Sequence, residues 1–411
     1  MIQRREITAD ILDSFVRKSH FVHYMKTSSW AKFKEETEGL KHVFLGFYDN
    51  EELIGTAMVL LGSFFGHRYC YVPKGPCLDY NNPALLEEVM KSLIEFAGHT
   101  GVQFLRIDPD VIRVSRDILG NQIDGINNES ITESLKEIGF HHKGYGYAYD
   151  GSWTNRYTLI TDLSPSMEEV IKTFSKPRRT SLNRHKVSGV FTRLGSEEDL
   201  PSLMKFEAML GEIDGFPPHP LSFFRSLLSC FGDHARLYVT EISLEAMITG
   251  IQAELDSRKY RKDAEAREAK EKDLAHAQEL LNKYGDKLAI ACGLFLYEGD
   301  MSWDLYTYNH KEFNFIKPVD NLHVFAMNDM KSLGVLRYDL CGFSGVTSKE
   351  DSEYGLYSYK RSFGPEFIEQ IGEFDYVYKE KAYRRFKKVK SLEVRARHKY
   401  WRLRYRKNQN S

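Results

Sequence analysis

At 411 residues the chain exceeds one typical core, so two domains or two fused halves are expected. A hydrophobic content of 42% with 13% aromatics marks a globular protein. Five scattered cysteines read as reduced core residues of a cytosolic protein and exclude a disulfide framework, and no His or Cys cluster has metal spacing.

The net charge of −1 hides an asymmetry. Between Lys379 and Lys407 fourteen Lys or Arg face two Glu, a cationic tail that fits an anionic partner, either nucleic acid or a membrane surface. The opening residues carry no apolar segment of a secretory signal, and the longest apolar run, 53–65, is too short to span a bilayer. The expectation is a soluble protein, at most peripheral to a membrane.

In chain order, Trp30-Ala31-Lys32-Phe33-Lys34 closes an opening helical segment. Residues 43–48 and 53–65 read as a hairpin through Asp49-Asn50-Glu51-Glu52, with a third strand at 68–72. Asn82-Pro83 supplies an N-cap and a first-turn proline. Leu85, Leu86, Val89, Met90, Leu93, Ile94 and Ala97 then form a one-sided helical stripe. A buried strand at 102–107 stops at Asp108-Pro109, and 131–138 is a short helix.

The second half repeats this order. A helix runs from Ser164-Pro165 to about Phe174, 178–186 is a basic helix or turn, and 190–194 is a strand. Helices near 198–210 and 221–230 precede strands at 236–242, 288–297 and 301–308, then a helix at 320–333 and a strand at 335–341. Both halves place Gly-Val after a helix and Arg-x-Asp in the next strand, as Arg106-Ile107-Asp108 and Arg337-Tyr338-Asp339. Strand–strand–strand–helix–strand thus occurs twice, which predicts two related α/β halves.

Residues 244–284 interrupt the second half where the first has a tight turn. Leu244, Ile248, Ile251 and Leu255, then Leu274, Ala277 and Leu281, keep heptad-like steps. Both ends must return to neighbouring strands, so this insert is expected to fold back as an antiparallel helical hairpin. Further on, Gly355-Leu356-Tyr357-Ser358-Tyr359-Lys360-Arg361-Ser362-Phe363-Gly364 sets aromatic side chains around two cations. That composition suits an anionic ligand or a developing oxyanion, or equally an ordinary strand or helix with a snorkelling Lys.

Five motifs, in this order, resemble the Fem/MurM family of peptidoglycan interpeptide-bridge aminoacyltransferases. They are Trp30-Ala31-Lys32-Phe33-Lys34, Tyr71-Val72-Pro73-Lys74-Gly75-Pro76, Leu105-Arg106-Ile107-Asp108-Pro109, Cys341-Gly342-Phe343 and Gly355-Leu356-Tyr357-Ser358-Tyr359-Lys360. The resemblance implies an α/β fold of two GNAT-like (acyl-CoA N-acyltransferase-like) halves. The halves would be 1–150 and 151–370, with a coiled-coil arm at 243–286 and a basic helix or tail at 371–411. It implies aminolysis of an aminoacyl-tRNA ester by a stem-peptide amine of lipid II or a related muropeptide precursor, with no cofactor beyond the tRNA co-substrate.

The same resemblance implies roles by position. Lys360 would stabilise charge at the transferred ester, and Asp108 would serve near the peptide as a base. Lys34 would meet the precursor phosphates, while Tyr306, Phe223 and Tyr359 would line the substrate site. His219 stands where the family carries a phosphate-binding Arg, which leaves the diphosphate contact of the second half open. Each has a plainer reading: Asp108 as a turn cap before Pro109, Lys34 as a solvated helix face, Tyr306 as a core residue.

Arg178, Arg179, Arg184 and Lys186, with Lys172 and Lys176, form a basic cluster suited to tRNA phosphates or to a solvated helix. The tail interleaves cations with Tyr383, Phe386, Val389, Leu392, Trp401, Leu403 and Tyr405, which suits anionic lipid at the inner face of the plasma membrane or tRNA. Two rivals stay open: a GNAT-type enzyme using acyl-CoA, whose pyrophosphate loop has only a poor match at Arg361-Ser362-Phe363-Gly364-Pro365-Glu366, and a silent scaffold for partner transferases. The residues do not say which amino acid is carried.

Overall fold

The structure, a computed structural model, describes residues 2–147, 153–185 and 189–409. It begins with β1 (Gln3–Glu6), α1 (Ala9–Lys18), α2 (Ser28–Glu38), β2 (Lys41–Asp49), β3 (Glu52–Phe64), β4 (His67–Val72), α3 (Pro83–His99) and β5 (Phe104–Ile107). β6 (Val114–Arg116), β7 (Gln122–Asn127), α4 (Glu129–Glu137) and β8 (His141–His142) follow. The chain continues through β9 (Tyr157–Asp162), α5 (Met167–Thr173), α6 (Lys176–His185), β10 (Val190–Leu194), α7 (Leu200–Asp214), α8 (Leu221–Phe231) and β11 (Ala235–Ser243). After α9 (Leu244–Leu255), α10 (Arg258–Lys262) and α11 (Ala264–Tyr284) come β12 (Lys287–Glu298), β13 (Met301–Asn309), α12 (Pro318–Ser332) and β14 (Arg337–Phe343). It closes with α13 (Tyr354–Arg361), β15 (Glu366–Glu369), β16 (Phe374–Val377) and α14 (Glu380–Gln409).

The described strands form two sheets, ordered β1-β2-β3-β4-β5-β16-β8 and β10-β11-β12-β13-β14-β9-β15-β6-β7. The predicted repeat is visible in both. Strands β2, β3 and β4 pair antiparallel, and β5 returns through α3 to lie parallel to β4. Strands β11, β12 and β13 do the same, with β14 returning through α12 parallel to β13.

Local signals set the helices. The Asn82 side chain accepts from the Leu85 amide, Pro83 opens α3, and Leu86, Val89, Met90, Leu93 and Ala97 are buried. The helix expected to start at Ser164-Pro165 begins later, because Ser166 and Glu169 close a capping box ahead of Met167. β14 also starts two residues late: the Val335 amide donates to the Met330 carbonyl and finishes α12 instead.

The halves are less separate in space than in sequence. β6 and β7 join the second sheet, while β16 enters the first between β5 and β8. A boundary near residue 150 therefore does not divide the sheets, and 374–377 is a structural strand, not part of a tail. Buried residues from both halves, among them Phe33 and Leu60 with Phe224, Leu237, Leu294 and Trp303, share one core. That shared core fixes the walls of the cleft between the sheets.

The insert folds back on itself. Leu244, Met247, Ile251 and Leu255 of α9 are buried with Ala277 and Leu280 of α11, and the cluster continues into Phe313 and Ile316 of the body. Ile248, Leu274 and Leu281, expected on the seam, are only partly buried. The start of α14 is also core: Tyr383 and Phe386 pack on Phe104, so these two aromatics are unavailable to lipid or RNA. The side chains of Trp401, Leu403 and Tyr405 lie outside the described residues.

Candidate active site

A cleft of about 750 Å³ opens between the sheets. Tyr69, Tyr71 and Lys74 wall it from the first half, Thr158, Ile160, Trp303, Asp339, Cys341 and Gly342 from the second. Its size suits an elongated ligand, and its walls mix apolar rings with a few fixed charges, the ordinary composition of a specific binding site.

Lysines stand at and beside this cleft. Lys34 lines it from α2, with Nζ 4.8 Å from the Trp30 ring and paired to Glu38 one turn on. Lys26 is buried nearby, donating to the Phe21 carbonyl and standing 3.6 Å from Asp110. Lys74 sits at φ +52 after β4, its Nζ 3.7 Å from Asp108. Against the cost of burial, Lys26, His23 and Lys74 hold the Asp110 carboxyl below its usual value.

Asp108 itself is one layer behind the wall. Its Oδ1 accepts the Lys74 amide at 2.6 Å and its Oδ2 the Thr154 hydroxyl at 2.5 Å, and it is 2% exposed. Burial raises its pKa even with Lys74 opposing. These bonds fit a residue that shapes the Lys74 turn. They do not present a base to the cleft.

Lys360 is likewise set back. α13 buries it, and Nζ donates to the carbonyls of Gly342 at 2.8 Å and Cys341 at 3.2 Å. Those two residues line the cleft, and Cys341 holds φ +61. The ammonium thus pins a strained turn and spreads positive charge onto the acids in front of it.

One of those acids faces the cleft: Asp339 on β14, the counterpart in the second half of Asp108 in the first. Its Oδ1 accepts from both the Thr158 hydroxyl and the Cys341 amide. Burial pushes its pKa up to about 6, with the Thr158 and Cys341 bonds and the Lys360 charge opposing. Asp304, also beside Lys360, is raised by burial to about 6 as well. The sequence signal for Asp339 was the repeated Arg-x-Asp, read as a mark of duplication and not as a site.

The other expected residues fall into two groups. His219, Phe223 and Tyr306 cluster: the His219 ring stacks on Phe223 at 4.1 Å and lies 5.4 Å from Tyr306. Phe33, 5.1 Å from Phe223, joins the cluster to α2 beside Lys34. His219 is anchored by buried Glu207, which accepts from its amide at 2.9 Å and pairs with Nδ1 at 2.6 Å. None of these three is among the residues lining the cleft.

Tyr359 belongs to a second cavity of about 720 Å³, which α13 lines with Ser358, Tyr359 and Arg361 but not with Lys360, and which Lys317 and Arg178 complete. Arg178 does not offer its charge to a ligand. It is 8% exposed, pairs with Asp320, donates to Ser362 at 2.7 Å and stacks over Phe363 at 3.7 Å. The expectation of a free phosphate contact at Arg178 is therefore corrected: Arg178 folds inward because α6 packs on α12 beside the end of α13, while Lys172 and Lys176 stay exposed. Arg179 caps its own turn, bonding the carbonyls of Lys172 and Phe174 at 2.7 Å each. The Arg184 side chain and all of Lys186 lie outside the described residues.

Residues 7–391 match the model of the FemAB family. Among curated relatives, the lipid II:glycine glycyltransferase of Staphylococcus aureus strain MRSA252 is 25% identical, over 96% of this chain and 98% of its own length. Its counterpart from strain USA300 matches with the same identity and coverage. Among solved structures, FemX superposes with a TM-score of 0.77 at 22% identity, covering 93% of this chain and 99% of its own, a likeness of fold.

Proposed function

The chain belongs to the FemAB family, and from that premise we propose that it is an aminoacyltransferase of peptidoglycan synthesis. It moves an amino acid from aminoacyl-tRNA onto the stem-peptide amine of a lipid-linked precursor. Glycine is the amino acid favoured by the curated relatives, which are lipid II:glycine glycyltransferases. The doubled strand order reads as two acetyltransferase-like halves, and the α9–α11 hairpin as the coiled-coil arm of this fold.

The observation that carries the reading is the cleft between the sheets, with Lys34 at its wall and a cleft-facing carboxyl backed by a buried ammonium. The precursor occupies this cleft, its phosphates beside Lys34. The aminoacyl-tRNA end approaches from the side of α13 that bears Tyr359 and Arg361.

In the reaction the amine nitrogen forms a bond to the ester carbonyl carbon, and the bond from that carbon to the ribose 3′-oxygen breaks. Asp339, its pKa raised by burial to about 6, takes the proton released as the amine attacks and returns it to the leaving 3′-oxygen. Lys360 holds the Cys341–Gly342 turn and places positive charge near the developing oxyanion. Asp108 positions Lys74. The ester is already activated, so holding amine and ester together supplies much of the rate.

The test is incubation with lipid II and tRNA charged in turn with Gly, Ala or Ser, followed by weighing the product. A mass gain with glycyl-tRNA that RNase abolishes is expected. Transfer indifferent to RNase but dependent on acyl-CoA would replace this reading with the acyl-CoA one.

A further inference from the structure

Strands β3 and β4 are joined by Phe65-Gly66, with φ of +47 and +78. A two-residue hairpin loop with both central residues at positive φ favours Asn, Asp or Gly at the first place. Here a Phe occupies it, and the ring is 76% exposed. The residue thus accepts a strained backbone and gains no burial for it. An outlier of that kind calls for a role outside the fold.

Its surroundings indicate what it meets. Phe64 touches Phe386 of α14 edge-on at 6.2 Å, and Lys390 Nζ lies 4.5 Å from the Phe64 ring centre. Phe64, Phe386 and Lys390 all line the cleft, so this corner borders it. Because Tyr383 and Phe386 face the core, the helical period turns Lys381, Arg385, Lys388, Leu392 and Arg395 outward, and all five are exposed. Leu392, 63% exposed, interrupts the cations with an aliphatic side chain.

We propose that the Phe65 hairpin tip and the outward stripe of α14 form a docking face for an anionic phospholipid bilayer, which sets this border of the cleft against the membrane. Cations beside exposed apolar side chains complement such a surface, the charges meeting headgroups and Phe65 and Leu392 entering the acyl boundary. A nucleic acid would use the same cations but would leave the aliphatic Leu392 without a partner. This deepens the lipid-precursor reading above by naming what meets the border of the cleft, yet its residues are distinct from those of the transfer chemistry.

The experiment is co-sedimentation of the full chain with lipid II-free vesicles, either pure phosphatidylcholine or phosphatidylcholine mixed with phosphatidylglycerol. The wild type binds the anionic vesicles. Each surface cation contributes about fivefold, so K381Q/R385Q/K388Q weakens binding roughly a hundredfold. Phe65→Asn, which suits the positive φ and so keeps the fold, weakens it about tenfold. Both variants retain transfer to detergent-dissolved precursor. Equal binding to the two vesicle types, or variants that bind as tightly as wild type, overturns the proposal. Retention of tRNA in place of vesicles, lost in the triple variant, overturns it in favour of nucleic acid. With no lipid II present, the outcome is independent of whether the transfer reaction is right.

Discussion

Asp339→Asn separates a catalytic carboxyl from a structural one, because the two roles predict opposite changes in stability. Both bonds to Asp339 end on Oδ1, so an amide oxygen placed there keeps them. At 7% exposure the wild-type carboxyl is raised from 3.8 to about 6. That displacement corresponds to about 3 kcal/mol charged against the folded state at neutral pH. The attraction to Lys360 is already contained in that displacement, so an amide that keeps both bonds is expected to gain about 3 kcal/mol.

The sign follows from linkage. A carboxyl whose folded value is raised adds no penalty below its unfolded value near 4, and the whole penalty once pH passes about 6. The variant's advantage in melting temperature should therefore open between those limits and stay constant above them. In the transfer assay, kcat should fall roughly a hundredfold or more with KM little changed, and the wild-type rate should rise with pH through about 6. A D339N protein that melts below the wild type at neutral pH, or that turns over normally, would refute the reasoning.

Arg178→Ala is expected to lose about 3–5 kcal/mol of stability by breaking the buried ion pair with Asp320 and the bond to Ser362, read by denaturant unfolding, while tRNA affinity stays unchanged. Lys34→Ala should raise KM for the precursor about tenfold with little change in kcat, as removal of a phosphate contact does, and added salt should narrow the difference from wild type. A chain ending at residue 379 loses the Tyr383 and Phe386 packing on Phe104 and should unfold or aggregate. One ending at residue 396 keeps that packing and should melt close to the full chain by circular dichroism.

Much of the fold was legible locally. The cap at Asn82, the stripe of α3, the strand Val190–Leu194 and the doubled order of strands follow from side chains a few residues apart. The strands that the sequence did not announce are β1, β6, β7, β8, β9, β15 and β16; most are four residues or fewer, and β7 is exposed along its length, so few of them carry an apolar period. Among them β6, β7 and β16 are the strands that cross between the sheets.

The candidate site was legible only in part. Lys34 lines the cleft, whereas Asp108 and Lys360 stand behind its wall. Asp339 was written in the sequence as an echo of Asp108, but an echo carries no orientation.

Periodicity, caps and turn chemistry are properties of neighbours along the chain, and they alone determined that this protein has two similar α/β halves and an inserted helical hairpin. The fate of each charge depends on partners far away: Arg106 finds Asp375 at 2.7 Å across 269 positions, and Arg178 finds Asp320 across 142. A buried cation and a ligand-binding one have the same local pattern. Only long-range pairing, set by how the two sheets exchange strands, decided which of them faces the cleft.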